Sequence, residues 1–374
     1  MKIVYLHQYF KTPQEGGAIR SYHIAKALVK AGHDVTMITS HNTLNREEKL
    51  IEDIKVIYLP VYYSNELSFI SRIKAYLKFG KLARKEASKI NDIDLVYATS
   101  TPLTIGLTAI KINKPFVFEV RDLWPKIPVE LGYIHPIIGY FLYKLEKRIY
   151  KKAKTIFSLS PETKQYIDKL GFSTKNQLIP NMSDCLFFQS NEVNSDFKIC
   201  YTGTFGKANH LEYLIDVAKE CHKIKLPIQF ILAGEGKEFY HIQFLARTLP
   251  NVIFKSYSNK KKMKSILDSS NASYISFLKH SALEGMSPNK FFDALAAGKL
   301  TIVNTKGWLK DYVENNHCGF YHNPSDVQEF ITKITPYLTN KVLLQQTQKN
   351  ARQCAVRDFS VHELTNKINT IISD

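Results

Sequence analysis

A two-part α/β protein is what the sequence predicts, with a parallel sheet in each part. Three observations carry that reading. The first 45 residues run from an apolar strand through a glycine-bearing turn and a helix to a second apolar strand. A second series of the same kind starts after residue 196. Between them, from about Leu178 to Ser195, periodicity is lost, as expected of a linker.

Each element follows from local pattern. Ile3 to Leu6 is an apolar run of strand length, and the loop HQYFKTPQEGGAIR after it carries Gly16 and Gly17. Ile24, Ala27, Leu28 and Ala31 recur at helical spacing until Gly32 stops the helix. Val35 to Thr39 completes a βαβ unit, and Lys55 to Leu59, Leu95 to Ala98, Phe116 to Val120 and Ile156 to Leu159 extend the series. In the second half, Phe197 to Thr202 reads as a strand ending in Gly203-Thr204-Phe205-Gly206, followed by a helix over Leu211 to His222. Ile228 to Leu232 leads into Gly234-Glu235-Gly236, and Val252 to Phe254, Ala272 to Ile275 and Thr301 to Val303 are further strands. The divisions expected are residues 1–178, a linker over 179–196, a second domain over 197–355 and a last helix within 356–374.

Composition narrows the function. The chain has 374 residues, 44% hydrophobic and 23% charged, which excludes a mainly disordered protein. Lys and Arg number 51 against 34 Asp and Glu, a net charge of +17. That excess calls for an anionic partner: nucleic acid, a phosphorylated small molecule or an anionic membrane surface. Cys185, Cys200, Cys221, Cys318 and Cys354 lack any metal-ligand spacing and read as reduced cytosolic thiols. No apolar run approaches the 18 or so residues of a membrane-spanning helix, and the start of the chain does not read as a secretory leader.

Gly16-Gly17 and Gly203 to Gly206 both lie between a strand and a helix, where the backbone can approach a ligand and free N–H groups favour an anion. Lys207 and His210 add cations to the second turn. In SPNKFFDALAAGKLTIVN, Ser287-Pro288 signals a helix start, and Asn289 and Lys290 open the helix that carries Asp293. Such a terminus offers donors to a diphosphate, and an acid one turn on can accept from ribose hydroxyls. The same residues also describe an ordinary capped helix, and their pattern alone does not choose. Asp92-Ile93-Asp94 has the DxD form of a metal motif but precedes a strand instead of following one, so it reads as a polar approach. Lys260-Lys261-Lys262 reads as a solvated face.

Further stretches have a recognisable order. AKALVKAGHDVTMIT (Ala25 to Thr39) follows the Gly-Gly turn, and FEVRDLWP (Phe118 to Pro125) follows in the same half. IPNMSD (Ile179 to Asp184) stands at the junction, before LAGEG (Leu232 to Gly236), LPNVIF (Leu249 to Phe254) and SPNKFFDALAAGK. In this order and spacing the chain resembles, over nearly its whole length, a GT-B glycosyltransferase of the large retaining family 4, of the bacterial polysaccharide or O-antigen type. The resemblance implies two Rossmann-like domains facing each other across a cleft, acceptor in the first, nucleotide sugar in the second, with the last helix crossing back. It implies donor contacts from Gly203, Thr204, Gly206, His210, Gly234, Gly236, Glu284, Ser287, Pro288, Asn289 and Asp293. Gly16 and Gly17 fall in its acceptor or phosphate loop. It implies that Lys207 and Lys290 balance the diphosphate, with no bound metal and no other cofactor. The chain departs from the family where two Glu often stand seven residues apart: here the second is Asp293, and Glu284 is displaced by one position. Thr204 replaces a frequent Arg. Arg121-Asp122 stands where many members have His-Asp; it reads as catalytic or as a structural ion pair.

Charge is uneven. Ser68 to Lys89 interleaves Phe69, Ile70, Ile73, Tyr76, Leu77 and Phe79 with seven basic residues, and Ile134 to Lys154 repeats the theme. Basic amphipathic helices belong at membrane surfaces; they also occur as core-facing helices with a solvated back. The expectation is therefore a retaining transferase using a nucleotide-diphosphate sugar, UDP-linked, and a polyprenyl-diphosphate-linked saccharide. It would work in surface polysaccharide or lipopolysaccharide synthesis, cytoplasmic and peripheral on the inner face of the membrane. Nucleic acid is not expected as a partner. The rivals are a sugar-nucleotide 2-epimerase of the same fold and a nucleic-acid-binding protein.

Overall fold

The computed structural model describes residues 1–15, 19–64, 67–190, 196–256 and 259–373. Gly16 and Gly17 lie outside these residues, as does the Phe69 side chain. The chain forms two compact units, one of Met1–Thr12, Ala18–Pro180 and Thr365–Asp374, the other chiefly of Asn181–Leu364.

The first unit holds strands β1 (Lys2–Leu6), β2 (Asp34–His41), β3 (Glu47–Ile51), β4 (Ile54–Pro60), β5 (Leu95–Thr99), β6 (Phe116–Val120), β7 (Thr155–Ser158) and β8 (Asn176–Leu178). Among the described residues they form one sheet in the order β3-β4-β2-β1-β5-β6-β7-β8, parallel except for the β3–β4 pair. Helices α1 (Arg20–Lys30), α2 (Phe69–Ala87), α3 (Thr104–Ile112), α4 (Lys126–Glu130), α5 (Pro136–Lys152) and α6 (Pro161–Ile167) connect the strands. Parallel strands covered on both faces read as continuous apolar runs, and β1, β5 and β6 are almost wholly buried. β3 was not expected. Its EEKLI is polar and largely exposed, and an antiparallel edge strand needs only one buried neighbour.

The second unit holds β9 (Phe197–Thr202), β10 (Ile228–Ala233), β11 (Val252–Lys255), β12 (Ala272–Ile275), β13 (Leu300–Val303) and β14 (Gly319–Tyr321), ordered β11-β10-β9-β12-β13-β14 and all parallel. Its helices are α7 (Glu212–Lys223), α8 (Phe239–Leu245), α9 (Lys260–Asp268), α10 (Asn289–Ala296), α11 (Trp308–Asn315), α12 (Val327–Thr339) and α13 (Lys341–Phe359); α14 (Val361–Ser373) begins in this unit and belongs from Thr365 to the first. The boundary expected at residue 355 falls inside α13, and the change of unit comes instead within α14, at Thr365. Part of the expected linker is built into the second unit: Ser183 bridges Ser360, and Arg352 donates to the carbonyls of Cys185 and Phe188, each at 2.7 Å.

Both sheets reverse their strand order at a central strand, β1 in the first and β9 in the second. In open α/β sheets ligands settle beyond the carboxyl ends at such reversals. There the chain places His7 and Ser100 in one unit, and Gly203 and Ser276 in the other.

Candidate functional site

In the second unit the loops after β9 and β10 are joined backbone to backbone. Gly203 N–H donates to the Ala233 carbonyl at 3.0 Å, Phe205 N–H to Glu235 at 2.8 Å, and Glu238 N–H back to Phe205 at 3.0 Å. That closeness explains the glycines. A Cβ on Gly234 would lie 1.8 Å from the Gly203 carbonyl oxygen, and one on Gly236 would lie 2.3 Å from that of Phe205. Gly203, Gly234 and Gly236 also have φ near +148°, which L side chains rarely adopt.

Lys290, in the first turn of α10, reaches this cradle. Its Nζ donates to the Tyr201 hydroxyl at 3.0 Å and to Asn209 Oδ1 at 2.9 Å, and it sits over the Tyr201 ring. A Cβ on Gly203 would be 3.5 Å from the same Nζ. Burial pushes the ammonium down to about 7, since an isolated cation is costly out of water. Tyr201 in turn donates to the Thr204 carbonyl at 2.7 Å. The structure thus brings together Gly203, Thr204, Gly206, Gly234, Gly236 and Lys290, with Tyr201 and Asn209 added. Tyr201 and Asn209 lie within or beside the GTFGKANH stretch, yet sequence reasoning passed over them because only the packing of α10 against β9 selects them.

The other expected residues take varied places. Lys207 is exposed. His210 is paired with Glu212 at 3.4 Å and lies against Tyr213, so an acid already faces the cation expected there. Pro288 precedes α10 as its cap, and Asn289 begins the helix. The Ser287 carbonyl accepts from Asn181 Nδ2 at 2.6 Å, while its buried hydroxyl has no partner among the described residues. Glu284 follows a short 3-10 turn over Ser281–Leu283. Asp293 is half-buried, and burial raises its carboxyl to about 6 against the attraction of Lys260. Asp184, which repels Asp293, is itself paired with Lys260 at 3.2 Å. This Asp184–Lys260–Asp293 group was also missed, because its members are more than 30 residues apart.

In the first unit Arg121 lies just beyond β6. Its backbone N–H donates to Ser100 Oγ at 3.0 Å, and Nη1 approaches His7 Nε2 at 3.5 Å. His7 Nδ1 meets Ser21 Oγ at 2.8 Å. Burial, then the Arg121 charge, holds the imidazole well below its usual range, so His7 is neutral. Arg121 can only donate, which leaves Nδ1 of His7 as the protonated nitrogen. Burial raises the Asp122 carboxyl, partly offset by Arg121. Beneath them the Arg20–Glu119 pair is 2.9 Å long and fully buried, with Tyr97 donating to Glu119 at 2.8 Å and Arg20 to the Ile179 carbonyl at 3.0 Å. His7 stands in the quoted HQYF loop, but no spacing marks it.

Asp94 of the DxD stretch accepts the Lys2 backbone N–H at 2.7 Å, which ties together the amino ends of the neighbouring strands β1 and β5. Among the described residues no three His, Cys, Asp or Glu converge as metal ligands, and no helix is long and apolar enough to cross a membrane.

Helix α2 buries Ala75, Phe79, Ala83 and Ala87 and yet exposes Ile70 (66%), Ile73 and Leu77 (55%). At the start of α5, Ile137, Ile138, Tyr140 and Phe141 (63%) are exposed, while Ile149 and Tyr150 are buried. Both helices therefore serve the core with one face; α5 presents an apolar first half outward, and α2 an outward face on which Ile70, Ile73 and Leu77 alternate with exposed Lys74 and Lys78. Contiguous apolar exposure of this kind marks an interaction surface.

Comparison with known proteins agrees with the fold. The family profile described as Glycosyltransferase Family 4 matches residues 15–185, and that described as Glycosyl transferases group 1 matches residues 183–354. No curated protein sequence matches the chain. Among solved structures, sucrose-phosphate synthase from Thermosynechococcus elongatus is 16% identical with a TM-score of 0.80, covering 100% of this chain and 98% of that one. Anabaena HepE, solved in complex with UDP and glucose, is 16% identical with a TM-score of 0.70 and full coverage of both chains. WaaG, a glycosyltransferase involved in lipopolysaccharide biosynthesis, is 14% identical with a TM-score of 0.70, covering 99% of each chain.

Proposed function

From a chain that belongs to the GT-B glycosyltransferases of the family 4 type, we propose a retaining enzyme that moves a sugar from a UDP-linked donor to a polyprenyl-diphosphate-linked saccharide. The work would serve bacterial surface polysaccharide synthesis at the inner face of the cytoplasmic membrane. The observation that carries the donor half is the cradle of Gly203, Gly234 and Gly236 with half-buried Lys290 over it. Its backbone admits close approach, and its cation is short of a negative partner. HepE crystallised with UDP and glucose, and a trehalose-phosphate enzyme with UDP-2-fluoro glucose, support a uridine nucleotide.

In this reading Lys290, Lys207 and the first turn of α10 face the diphosphate, and Asp293 accepts from the ribose. The bond from the anomeric carbon to the diphosphate breaks as the acceptor hydroxyl adds from the same face. Negative charge grows on the departing diphosphate, and fixed cations and N–H groups stabilise it most at that moment. No metal is assigned to that charge. Arg121 and Asp122 serve the acceptor side, Arg121 held by Ser100 and His7. The exposed apolar turns of α2 and α5, followed by Lys and Arg on the same helices, favour docking on an anionic membrane.

A panel of nucleotide sugars screened by thermal shift, then tested for transfer to a lipid-linked acceptor, examines the whole reading. Stabilisation by UDP-sugars and a product keeping the donor's anomeric configuration are expected, with activity unchanged by chelators. Loss of activity on chelation would transfer the charge-balancing role from Lys290 and Lys207 to a metal. An inverted product would exclude retention.

A further inference from the structure

The outward stripe of α2 changes character along its length. Ile70, Ile73 and Leu77 are exposed, and the next positions on that stripe are Lys81 and Arg84, with Lys85 beside them. At Gly80 the helix runs so close to α3 that a Cβ would lie 2.6 Å from Thr108 Oγ1. The two helices enclose a groove of about 530 Å³ walled by Lys81, Arg84 and Lys85 from α2 and Lys111 from α3. Thr104 lines it with a hydroxyl that has no hydrogen-bond partner among the described residues.

No acid lines this groove. Among the described residues none of the four cationic side chains is paired with a carboxylate, whereas nearby Arg46 and Lys89 are held by Glu86 at 3.1 and 2.7 Å. Glu86 is on α2 itself, but its buried carboxylate is committed to those two partners and is absent from the groove. Four like charges converging on one cavity repel until an anion joins them.

We propose that the groove between α2 and α3 takes the phosphate of an anionic lipid headgroup. This rests on the membrane-docking reading given above and gives it a specific contact. The lipid, and not a free anion, is favoured by what adjoins the cations: Leu77 lines the groove and continues the apolar stripe of Ile70 and Ile73. From Leu77 to Arg84 the helix advances about 10 Å at roughly 1.5 Å per residue, so a helix entering the surface at a steep angle, N-terminus first, can set its apolar turns below the headgroups while its basic end stays at their level. The apolar turns would enter the acyl boundary while Lys81, Arg84, Lys85 and Lys111 meet the phosphate layer.

The test is flotation of the full chain with phosphatidylcholine vesicles, with and without phosphatidylglycerol. Two variants lose three charges each: K81Q/R84Q/K111Q in the groove, and K151Q/K152Q/K154Q at the end of α5 and just beyond it. Unfolding curves check that both are folded. The groove variant should partition onto anionic vesicles at least about tenfold more weakly than wild type, given the strength of a Lys or Arg near such a surface. The α5 variant should lose much less. Equal binding by the groove variant, or equal loss by both, would overturn the proposal and leave general electrostatic docking. Release of wild type from vesicles by millimolar inorganic phosphate, with sulfate ineffective at equal ionic strength, would assign the groove to a free anion instead. If wild type binds UDP but no anionic vesicle, the membrane-docking reading itself fails.

Discussion

The ammonium of Lys290 lies 3.0 Å from the hydroxyl of Tyr201 and 4.2 Å from the centroid of its ring. The contact ties the first turn of α10 to the end of β9. It supplies a hydrogen-bond acceptor and a π face, and no full negative charge. A half-buried cation so placed is stabilised enough to fold and remains ready for an anion.

That arrangement has a stability signature. The folded pKa of Lys290, about 7, lies below the ordinary lysine value, so between the two the unfolded chain holds the extra proton. Stability therefore rises with pH through that window, with a slope of at most about 1.4 kcal/mol per pH unit from this group. Below about pH 7 its cost is fully present. Urea unfolding of wild type and Lys290→Gln between pH 7 and 10 should show the variant more stable at pH 7 and the difference shrinking as pH rises.

Asp293 should matter for binding and not for folding. A carboxylate that accepts from ribose hydroxyls is worth roughly 1.5–3 kcal/mol, so Asp293→Ala should weaken UDP by about tenfold or more. Because burial raises its carboxyl to about 6, Asp293→Asn should keep or raise the melting temperature at pH 7. Unchanged UDP affinity in calorimetry would remove Asp293 from the site.

Gly234→Ala should matter for both folding and binding. The added Cβ meets the Gly203 carbonyl oxygen at 1.8 Å, and backbone cannot swing aside as a side chain can. Overpacking together with an unfavourable φ costs about 1–3 kcal/mol or more. A lowered melting temperature and loss of the UDP-induced thermal shift are expected, with Gly32→Ala, where a Cβ meets nothing within 4 Å but φ is also positive, separating strain from collision.

Asp122 is assigned to the acceptor side. Asp122→Asn should reduce transfer by roughly a hundredfold or more, in the range of positioned acid–base groups, with UDP affinity unchanged. Transfer at the wild-type rate would make the Arg121–Asp122 pair structural.

Much of this was legible before any coordinates, for particular reasons. Strands β1, β2, β5 and β6 are covered on both faces, so their apolar runs announce them. The turn of Gly203 to Gly206 reads from the sequence as a place of close approach, but that Gly234 and Gly236 tolerate no Cβ comes only from the way the loops after β9 and β10 meet. Ser287-Pro288 correctly marked the start of α10. Three edge strands escaped, since β3 is polar and β8 and β14 are three residues each, whereas the edge strand β11 shows in its apolar Val252 to Phe254. Tyr201, Asn209 and His7 escaped because their significance lies in distant partners, Lys290 and Arg121. His210 was expected as a donor cation from spacing alone, and only the fold turns it towards Glu212.

Calorimetric titration of UDP at pH 8, in two buffers of different ionisation enthalpy, examines the role of Lys290 most directly. The diphosphate should restore the charge of an ammonium that burial has largely neutralised, so binding should take up close to one proton, and Lys290→Gln should abolish the uptake and weaken binding. UDP binding with no proton uptake, and with the same affinity in Lys290→Gln, would contradict the assignment of the donor diphosphate to this cradle.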